Sequence, residues 1–215
     1  MEPLVNYYAK RAAEYERIYA KPERQVDLTA LRKRIGAMFK GRKVLELACG
    51  TGYWTEVIAA QAEHVTALDI NEEVLEIARA KRVPAGRVEF TKGSACDIPG
   101  SAPRHDALYA GFWWSHVPLA EMDSFLEKAS HAVAPGALIA FLDNRYVEGS
   151  STPLSRADEE GNTYQTRRLD DGSAHEVLKN FPAESELIRR ASLAGSGAHV
   201  ELLEHYWLLS FRGRS

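Results

Sequence analysis

Apolar residues near the start of the chain recur at every third or fourth position, which is the spacing of an amphipathic helix. Pro22 separates two such stripes and Gly41 ends the second, because neither residue type suits a helix interior. We therefore predict two amphipathic helices within residues 1–42. The stripes are formed by Val5, Tyr8, Ala12, Tyr15 and Ile18, and by Leu28, Leu31, Ile35 and Phe39.

From Lys43 onward, short apolar runs alternate with amphipathic stretches. This alternation predicts a parallel sheet that is covered by helices on both faces. Asn71 precedes the second of these helices and is a candidate for its N-cap. The runs with the length and composition of strands are KVLELA, HVTALDI, RVEFTK, HDALYAG and GALIAFLDN. The helical stretches between them are GYWTEVIAAQAE, NEEVLEIARAK and LAEMDSFLEKASHAV.

Residues 145–180 interrupt this alternation. TYQTRRL and SAHEVLK flank the turn signal Asp170-Asp171-Gly172, so we predict an inserted β-hairpin rather than a second domain. A helix over AESELIRRASLAGSG and two closing strands around Glu204-His205 follow the insertion. The prediction is one domain over residues 1–215. Its parts are the N-terminal helices (1–42), the core (43–143), the insertion (145–180) and the closing helix and strands (181–215).

The composition is that of a globular protein, with 45% hydrophobic and 27% charged residues and a net charge of −3. No apolar run is long enough to span a bilayer, and two cysteines are too few for a disulfide framework. The residues that open the sequence do not have the pattern of a signal peptide, so we expect none. We expect a cytoplasmic protein with no membrane partner. The slightly acidic charge and the absence of Asn/Asp-Pro-Pro-aromatic and Pro-Cys motifs argue against a nucleic-acid substrate.

A glycine turn joins the first strand to the first core helix. Gly50 and Gly52 lie in this turn, and Asp69 ends the next strand about 20 residues later, where a carboxylate binds ribose hydroxyls in doubly wound sheets. A cofactor that contains a nucleoside is therefore expected. Thr55 stands where a dinucleotide fingerprint has its third glycine, and the acidic Glu46 lies inside the first strand, so a dinucleotide is disfavoured.

VLELACGTG and VTALDI together resemble the first two motifs of the class I S-adenosylmethionine (SAM)-dependent methyltransferases of the small-molecule type. VEFTKGSACDIP, HDALYAGFWWSHVP and APGALIAFLD resemble later segments of that family in the same order, over about residues 43–143. The resemblance implies a three-layer Rossmann-like fold. Its seven-stranded sheet would be mostly parallel with an antiparallel last strand, beneath an N-terminal helical lid. The implied cofactor is SAM, and the product is S-adenosylhomocysteine (SAH).

The resemblance also implies roles for the cofactor-binding residues. Gly50 and Gly52 would let the backbone approach the methionine part, and Asp69 would hold the ribose. Ala48 departs from the glycine, and Ser94 from the aspartate, that many relatives have at these positions. Three members lie on the first helix, where the alternative is a surface helix with tyrosines packed on the core. The implied set is Tyr8, Arg11, Tyr15, Glu46, Ala48, Gly50, Gly52, Asp69, Ile70, Ser94, Ala95 and Ala110.

The segment GFWWSHVP lies where the family delivers the methyl group. Trp113 and Trp114 are candidates for an apolar wall that attracts the sulfonium cation. His116 is the candidate catalytic base, with loop-holding as its structural alternative. Asn144 and Tyr146 follow the fifth strand as further substrate-binding candidates, with loop capping as their alternative.

The insertion carries Arg167, Arg168 and His175, and its arginines indicate an anionic substrate if it roofs the pocket. A dimer edge and a solvated ribbon are its alternatives, so a homodimer stays open. No metal site is predicted, since no metal-ligand spacing surrounds the two cysteines.

The sequence predicts direct, in-line methyl transfer to an O or N nucleophile of a small molecule. A methyltransferase-like protein that binds SAM without catalysis is the first alternative. A nicotinamide-dependent oxidoreductase is the second.

Overall fold

The computed structural model describes residues 2–98 and 105–214. Pro99, which ends the segment VEFTKGSACDIP, lies outside them. The strands are β1 (Lys43–Leu47), β2 (His64–Asp69), β3 (Val88–Lys92), β4 (Ala107–Gly111), β5 (Leu138–Asn144), β6 (Arg156–Ala157), β7 (Thr163–Arg168), β8 (Ala174–Leu178), β9 (Gly195–Leu202) and β10 (Tyr206–Gly213). The α-helices are α1 (Glu2–Arg11), α2 (Gln25–Met38), α3 (Tyr53–Ala59), α4 (Glu72–Arg79), α5 (Met122–His131) and α6 (Glu184–Ala194).

Seven of these strands form one sheet in the order β3-β2-β1-β4-β5-β10-β9. β1 to β5 pair in parallel, while β10 is antiparallel to both of its neighbours, which confirms the predicted sheet. Leu47 at the end of β1 lies beside Leu68 and Ala110. The loops that follow β1, β2 and β4 therefore meet at one edge of the sheet. The strand order reverses there, and open α/β sheets bind ligands at this point.

Two hydrophobic clusters cover the two faces of the sheet. Successive strand residues point to opposite faces, so Val44 packs in one cluster and Leu45 in the other. The Val44 cluster includes Leu31 of α2 and Ile58 of α3, whereas the Leu45 cluster includes Leu126 of α5. Together these clusters give the predicted helix–sheet–helix layering. No helix in the described ranges is long and apolar enough to cross a membrane.

The N-terminal segment is helical, as the apolar stripes predict, but it is not one continuous α-helix. α1 passes into a 3₁₀ helix at Ala12–Ala20, and a short 3₁₀ turn at Pro22–Arg24 precedes α2. Asn71 occupies the N-cap position of α4, but its side chain makes no capping bond there. Instead, the Asn71 backbone N–H donates to the Asp69 carboxylate at 2.9 Å.

The insertion forms a small antiparallel sheet in the order β6-β7-β8. β7 and β8 are the predicted hairpin, and Gly172 has a φ of +82° in its turn. β6 was not predicted, because its two residues are too few to show an alternating pattern. Tyr7 of α1 packs with Leu169 and Val177 in a third hydrophobic cluster. The insertion is thereby joined to the N-terminal helix.

Candidate active site

The glycine turn after β1 needs its two glycines for different reasons. Both have positive φ, +54° at Gly50 and +79° at Gly52, which side chains rarely adopt. A Cβ on Gly52 would lie 3.0 Å from the Ala78 Cβ, so this glycine permits close packing against α4. A Cβ on Gly50 would instead meet only the Tyr15 ring, at 4.0 Å. Gly50 is thus the glycine whose backbone faces an open cavity.

Asp69 closes the other side of this turn. Its Oδ2 accepts the Gly50 N–H and its Oδ1 accepts the Asn71 N–H, both at 2.9 Å. Burial raises the pKa of the Asp69 carboxyl above its usual value, although these two N–H groups favour the ionised form. Each carboxylate oxygen keeps a second lone pair. The carboxylate can therefore accept two further hydrogen bonds from a vicinal diol in the cavity.

A cavity with about 700 Å³ of empty space lies over the ends of β1, β2 and β4. Its wall is mainly apolar, with the Asp69 carboxylate as its acidic group, which suits a nucleoside whose ribose binds an acid. We call it the cofactor cavity. Its described lining residues are Val5, Tyr8, Tyr15, Ala48, Gly50, Asp69, Ile70, Asn71, Val74, Ser94, Ala95, Gly111, Phe112, Trp113 and His116.

A second cavity, with about 1010 Å³ of empty space, adjoins the first. Tyr8, Tyr15, Phe112 and His116 line both cavities and form the junction between them. We call the second cavity the cationic cleft, because six of its described lining residues are basic and one is acidic. The basic residues are Arg11, Lys21, Arg24, Arg167, Arg168 and Lys179, and the acidic residue is Glu14.

Comparisons with known proteins agree with this arrangement. A family model described as a methyltransferase domain matches residues 44–136. The demethylmenaquinone methyltransferase of Clavibacter sepedonicus is 32% identical over 110 residues, which are 51% of this chain and 44% of that protein. The chain thus matches less than half the length of this curated relative.

Two solved structures match almost the whole chain. The DhpI–SAH complex is 29% identical, with a TM-score of 0.78 over 99% of this chain and 96% of that one. The DhpI–SAM–HEP complex is 30% identical, with a TM-score of 0.81 over 97% of this chain and 95% of that one. This chain belongs to the class I SAM-dependent methyltransferases. Its cofactor is SAM.

Features of this chain's own residues show that the cofactor cavity of the methyltransferase suits SAM. Asp69 presents a carboxylate with free lone pairs for the ribose hydroxyls. Gly50 leaves open the space that a Cβ would enter. Ile70, 39% exposed, and Ala95 add apolar surface to the same cavity. These residues are the ones that would hold the adenosine part.

Four predicted cofactor residues do not line the cofactor cavity. Gly52 packs on α4, and Ala110 is 0% exposed inside β4. Arg11 lines the cationic cleft, where its Nη1 donates to the Tyr7 hydroxyl at 2.7 Å. Glu46 is 1% exposed, because its place inside β1 directs the side chain into the protein. Its Oε2 has no hydrogen-bond partner in the described part of the chain.

Glu46 gives a stability test, since burial raises the pKa of its carboxyl to about 8. The native state therefore binds a proton that the unfolded state releases above pH ~4.5, so stability falls as pH rises between these values. We expect Glu46→Gln, which mimics the protonated acid, to raise the unfolding free energy by about 1–3 kcal/mol at pH 7. At pH 4 it should change little.

Urea unfolding at the two pH values measures this difference, with the exposed Glu63→Gln as control. SAH affinity should stay within about threefold of native. A large loss of SAH affinity would instead support the prediction that Glu46 binds the cofactor.

Ala48 adopts a backbone conformation that favours glycine. Its φ is +50°, in the left-handed region that costs an L-residue roughly 1–2 kcal/mol. We expect Ala48→Gly to stabilise the protein by about 1 kcal/mol, which raises the melting temperature by roughly 2–4 °C. Ala30→Gly, in the middle of α2, should have the opposite effect. Calorimetry of both variants tests these opposite shifts. A fall in melting temperature for Ala48→Gly would contradict the proposed backbone strain at Ala48.

His116 lies at the junction, with both ring nitrogens engaged. Its Nδ1 lies 2.6 Å from the Leu178 carbonyl, which can only accept, so Nδ1 carries the proton. Its Nε2 therefore accepts from the Tyr8 hydroxyl at 2.8 Å. Burial and the charges of Lys179 and Arg167 hold the pKa of His116 well below its usual value. The imidazole is neutral near pH 7, and its one ring-nitrogen lone pair, on Nε2, is taken by the Tyr8 hydroxyl at the junction.

A buried ion pair lies beneath the cationic cleft. Lys179 Nζ donates to Asp143 Oδ1 at 2.7 Å and to the Ser115 hydroxyl at 2.5 Å. The Ser115 N–H and hydroxyl both donate to Asp143 Oδ2, at 2.9 and 2.7 Å. Burial lowers the pKa of Lys179 to about 8. This network connects the loop after β4, the end of β5 and the residue after β8.

The substrate-binding candidates separate into two groups. Trp113 lines the cofactor cavity, and Asn144 lines the cationic cleft, where its Oδ1 accepts from Arg24 at 3.0 Å. Trp114 instead packs in the core, because the 3₁₀ turn at 114–116 directs it inward onto Phe141 and Trp207. Tyr146 is 43% exposed and lines neither cavity; its ring packs against Phe181.

Several lining residues were not predicted. Phe112 has a φ of +59°, and its N–H donates to the Leu142 carbonyl at 2.6 Å, which bends the chain after β4 so that it lines both cavities. A positive φ at a bulky residue leaves no signal in the sequence. Arg24 and Lys179 were missed because their positions depend on contacts with distant segments. The insertion does supply Arg167 and Arg168 to the cleft, whereas His175 is not among the described lining residues.

Proposed function

We propose that this methyltransferase transfers the methyl group of SAM directly and in line to an oxygen or nitrogen atom of a small molecule. The observation that carries the proposal is the junction at Tyr8, Tyr15, Phe112 and His116, through which the cofactor cavity meets a second cavity. DhpI, which matches nearly the whole chain, forms a complex with SAM and a second ligand, HEP, and this supports a site for a ligand besides the cofactor.

SAM supplies an electrophilic methyl group on a sulfonium centre. The protein contributes orientation and exclusion of water, which are the main sources of rate in a direct displacement. α1 and the following 3₁₀ helix place Tyr8 and Tyr15 over both cavities. In this proposal the acceptor approaches the junction from the cationic cleft.

His116 is the candidate base for an acceptor that must lose a proton. Its Nε2 lone pair points at the junction, but the Tyr8 hydroxyl occupies it, and the depressed pKa weakens the base. Proton transfer would therefore pass through the Tyr8 hydroxyl: its oxygen accepts the acceptor's proton as its own proton moves to Nε2.

The cationic cleft argues against carrying over the substrate of the demethylmenaquinone methyltransferases. A quinone with an apolar tail would meet six basic side chains in this cavity, which suits a polar ligand better.

Methyl transfer from radiolabelled SAM tests the proposal. Pools of small metabolites, mixed proteins and total RNA are offered separately, and we expect label in the small-molecule fraction alone. Label in protein or RNA would contradict the acceptor class. SAH binding without transfer to any pool would favour the non-catalytic alternative.

A further inference from the structure

The distribution of charge around the cationic cleft indicates what kind of acceptor it binds. We propose that the methyl acceptor is a small oxyanion, a molecule with a carboxylate or phosphate-type group that binds the guanidinium groups of this cleft. This inference rests on the proposed function, since it takes the cleft as the acceptor site. Four arginines of the cleft have no carboxylate within 4 Å among the described residues. They are Arg11, Arg24, Arg167 and Arg168.

Arg167 carries the most direct evidence. Its guanidinium is half-buried, and its hydrogen-bond acceptors are neutral: Gln165 Oε1 at 2.9 Å and the Tyr8 hydroxyl at 3.5 Å. The charge of Lys179 acts on the same space, and Lys179 shares its own partner Asp143 with Ser115. Placing cations together in a half-buried cleft is costly unless an anion joins them. A bound oxyanion would supply that missing charge beside the junction.

Arg24 provides an independent cation on another wall. It is 7% exposed, and its guanidinium donates to Asn144 Oδ1 at 3.0 Å and to the Ser150 hydroxyl at 3.2 Å. Its Nε has no partner in residues 2–98 and 105–214. A buried guanidinium with only neutral partners is suited to an anionic ligand, because bonds to an ionised acceptor are stronger than those to neutral groups.

The one acidic residue of the cleft does not neutralise these charges. Glu14 Oε1 accepts the backbone N–H of Asp170 at 3.1 Å, and its Oε2 lies 4.0 Å from Arg17. Glu14 is therefore already engaged with the hairpin turn and a neighbouring arginine. The walls of the cleft come from α1, the two 3₁₀ segments that follow it, the loop after β5, and β7, which surround a pocket rather than an open stripe. A small molecule fits this shape better than a nucleic-acid backbone does.

Calorimetric titration of inorganic phosphate and, separately, acetate into the SAH-saturated protein tests the inference at pH 7. Potassium chloride holds the ionic strength constant. We expect saturable binding of at least one oxyanion, and the anion that binds more tightly distinguishes a phosphate-type group from a carboxylate. Arg167→Gln should weaken this binding about tenfold, because it removes a charged, bidentate donor. Arg168→Gln, at an exposed position of the same cleft, should also weaken oxyanion binding. This variant replaces Arg167→Gln in the test if Arg167→Gln does not fold.

Arg156→Gln is the matched control. Arg156 lies in the same small sheet but pairs with Glu176 at 2.6 Å and is not among the described residues of the cleft. The Arg156→Gln variant should bind the oxyanion with the affinity of the native protein. Absence of saturable binding by both anions, equal affinities for native and Arg167→Gln, or displacement of the anion by a short RNA would each overturn the inference. SAH affinity on the same sample separates the outcomes: if SAH binds and oxyanions do not, only the inference fails.

Discussion

Asp69→Asn is expected to weaken SAH binding by about 100-fold. We expect Asp69 to offer its carboxylate to the ribose hydroxyls, while the Gly50 and Asn71 N–H groups fix its orientation. Each hydrogen bond to a charged group is worth about 1.5–3 kcal/mol, so loss of the two ribose bonds corresponds to roughly two orders of magnitude. The amide would also turn an N–H₂ group towards one of the two backbone donors and disturb the turn.

Calorimetry with SAH measures the effect, and thermal melting shows whether the variant is folded. Asp106→Asn is a matched control, since Asp106 also accepts a backbone N–H, from Lys43 at 3.0 Å, but is exposed at the other end of the sheet. It should keep native SAH affinity. An Asp69→Asn protein that is folded and binds SAH within threefold of native would refute the ribose assignment.

Lys179→Met is expected to lower the unfolding free energy by about 3–5 kcal/mol, because it leaves the Asp143 carboxylate buried without its cation. Such a loss corresponds to a fall in melting temperature of roughly 10 °C for a chain of this size. The double variant Lys179→Met/Asp143→Asn removes both charges and keeps an acceptor for the Ser115 donors. It should recover at least half of the loss.

Urea unfolding of the single and double variants measures both the loss of unfolding free energy and its recovery. The exposed pair of Lys43 and Glu63, 3.3 Å apart, provides a contrast, and Lys43→Met should change stability by less than about 1 kcal/mol. A small effect of Lys179→Met, or additive losses in the double variant, would show that the two residues are not energetically coupled.

The sheet and the cofactor half of the site were predictable because their signals are local and periodic. Apolar runs of strand length alternate with helical stripes, and the turn at Gly50 and the acid at Asp69 follow two adjacent strands. Parallel strands bring such residues to one edge of the sheet by register alone. Spacing along the chain therefore becomes proximity in space, which a pattern can show.

The cationic cleft, which we propose as the acceptor half of the site, was less predictable because it depends on contacts between distant segments. Tyr8 and His116 are 108 positions apart, and Lys179 meets Asp143 across 36. No period of the sequence connects such pairs. Local geometry also divides neighbours: Trp113 faces the cofactor cavity, while a 3₁₀ turn sends Trp114 into the core. From the sequence alone, both tryptophans are equally good candidates for the wall of the cavity.

A crystal structure of the protein with SAH would test the central claim, that the two joined cavities are the cofactor and acceptor sites, most directly. We predict the ribose on Asp69, the adenine against Ile70, and the sulfur facing the junction at Tyr8 and His116, towards the cationic cleft. SAH bound within the cationic cleft, or with its sulfur turned away from the junction, would contradict the account.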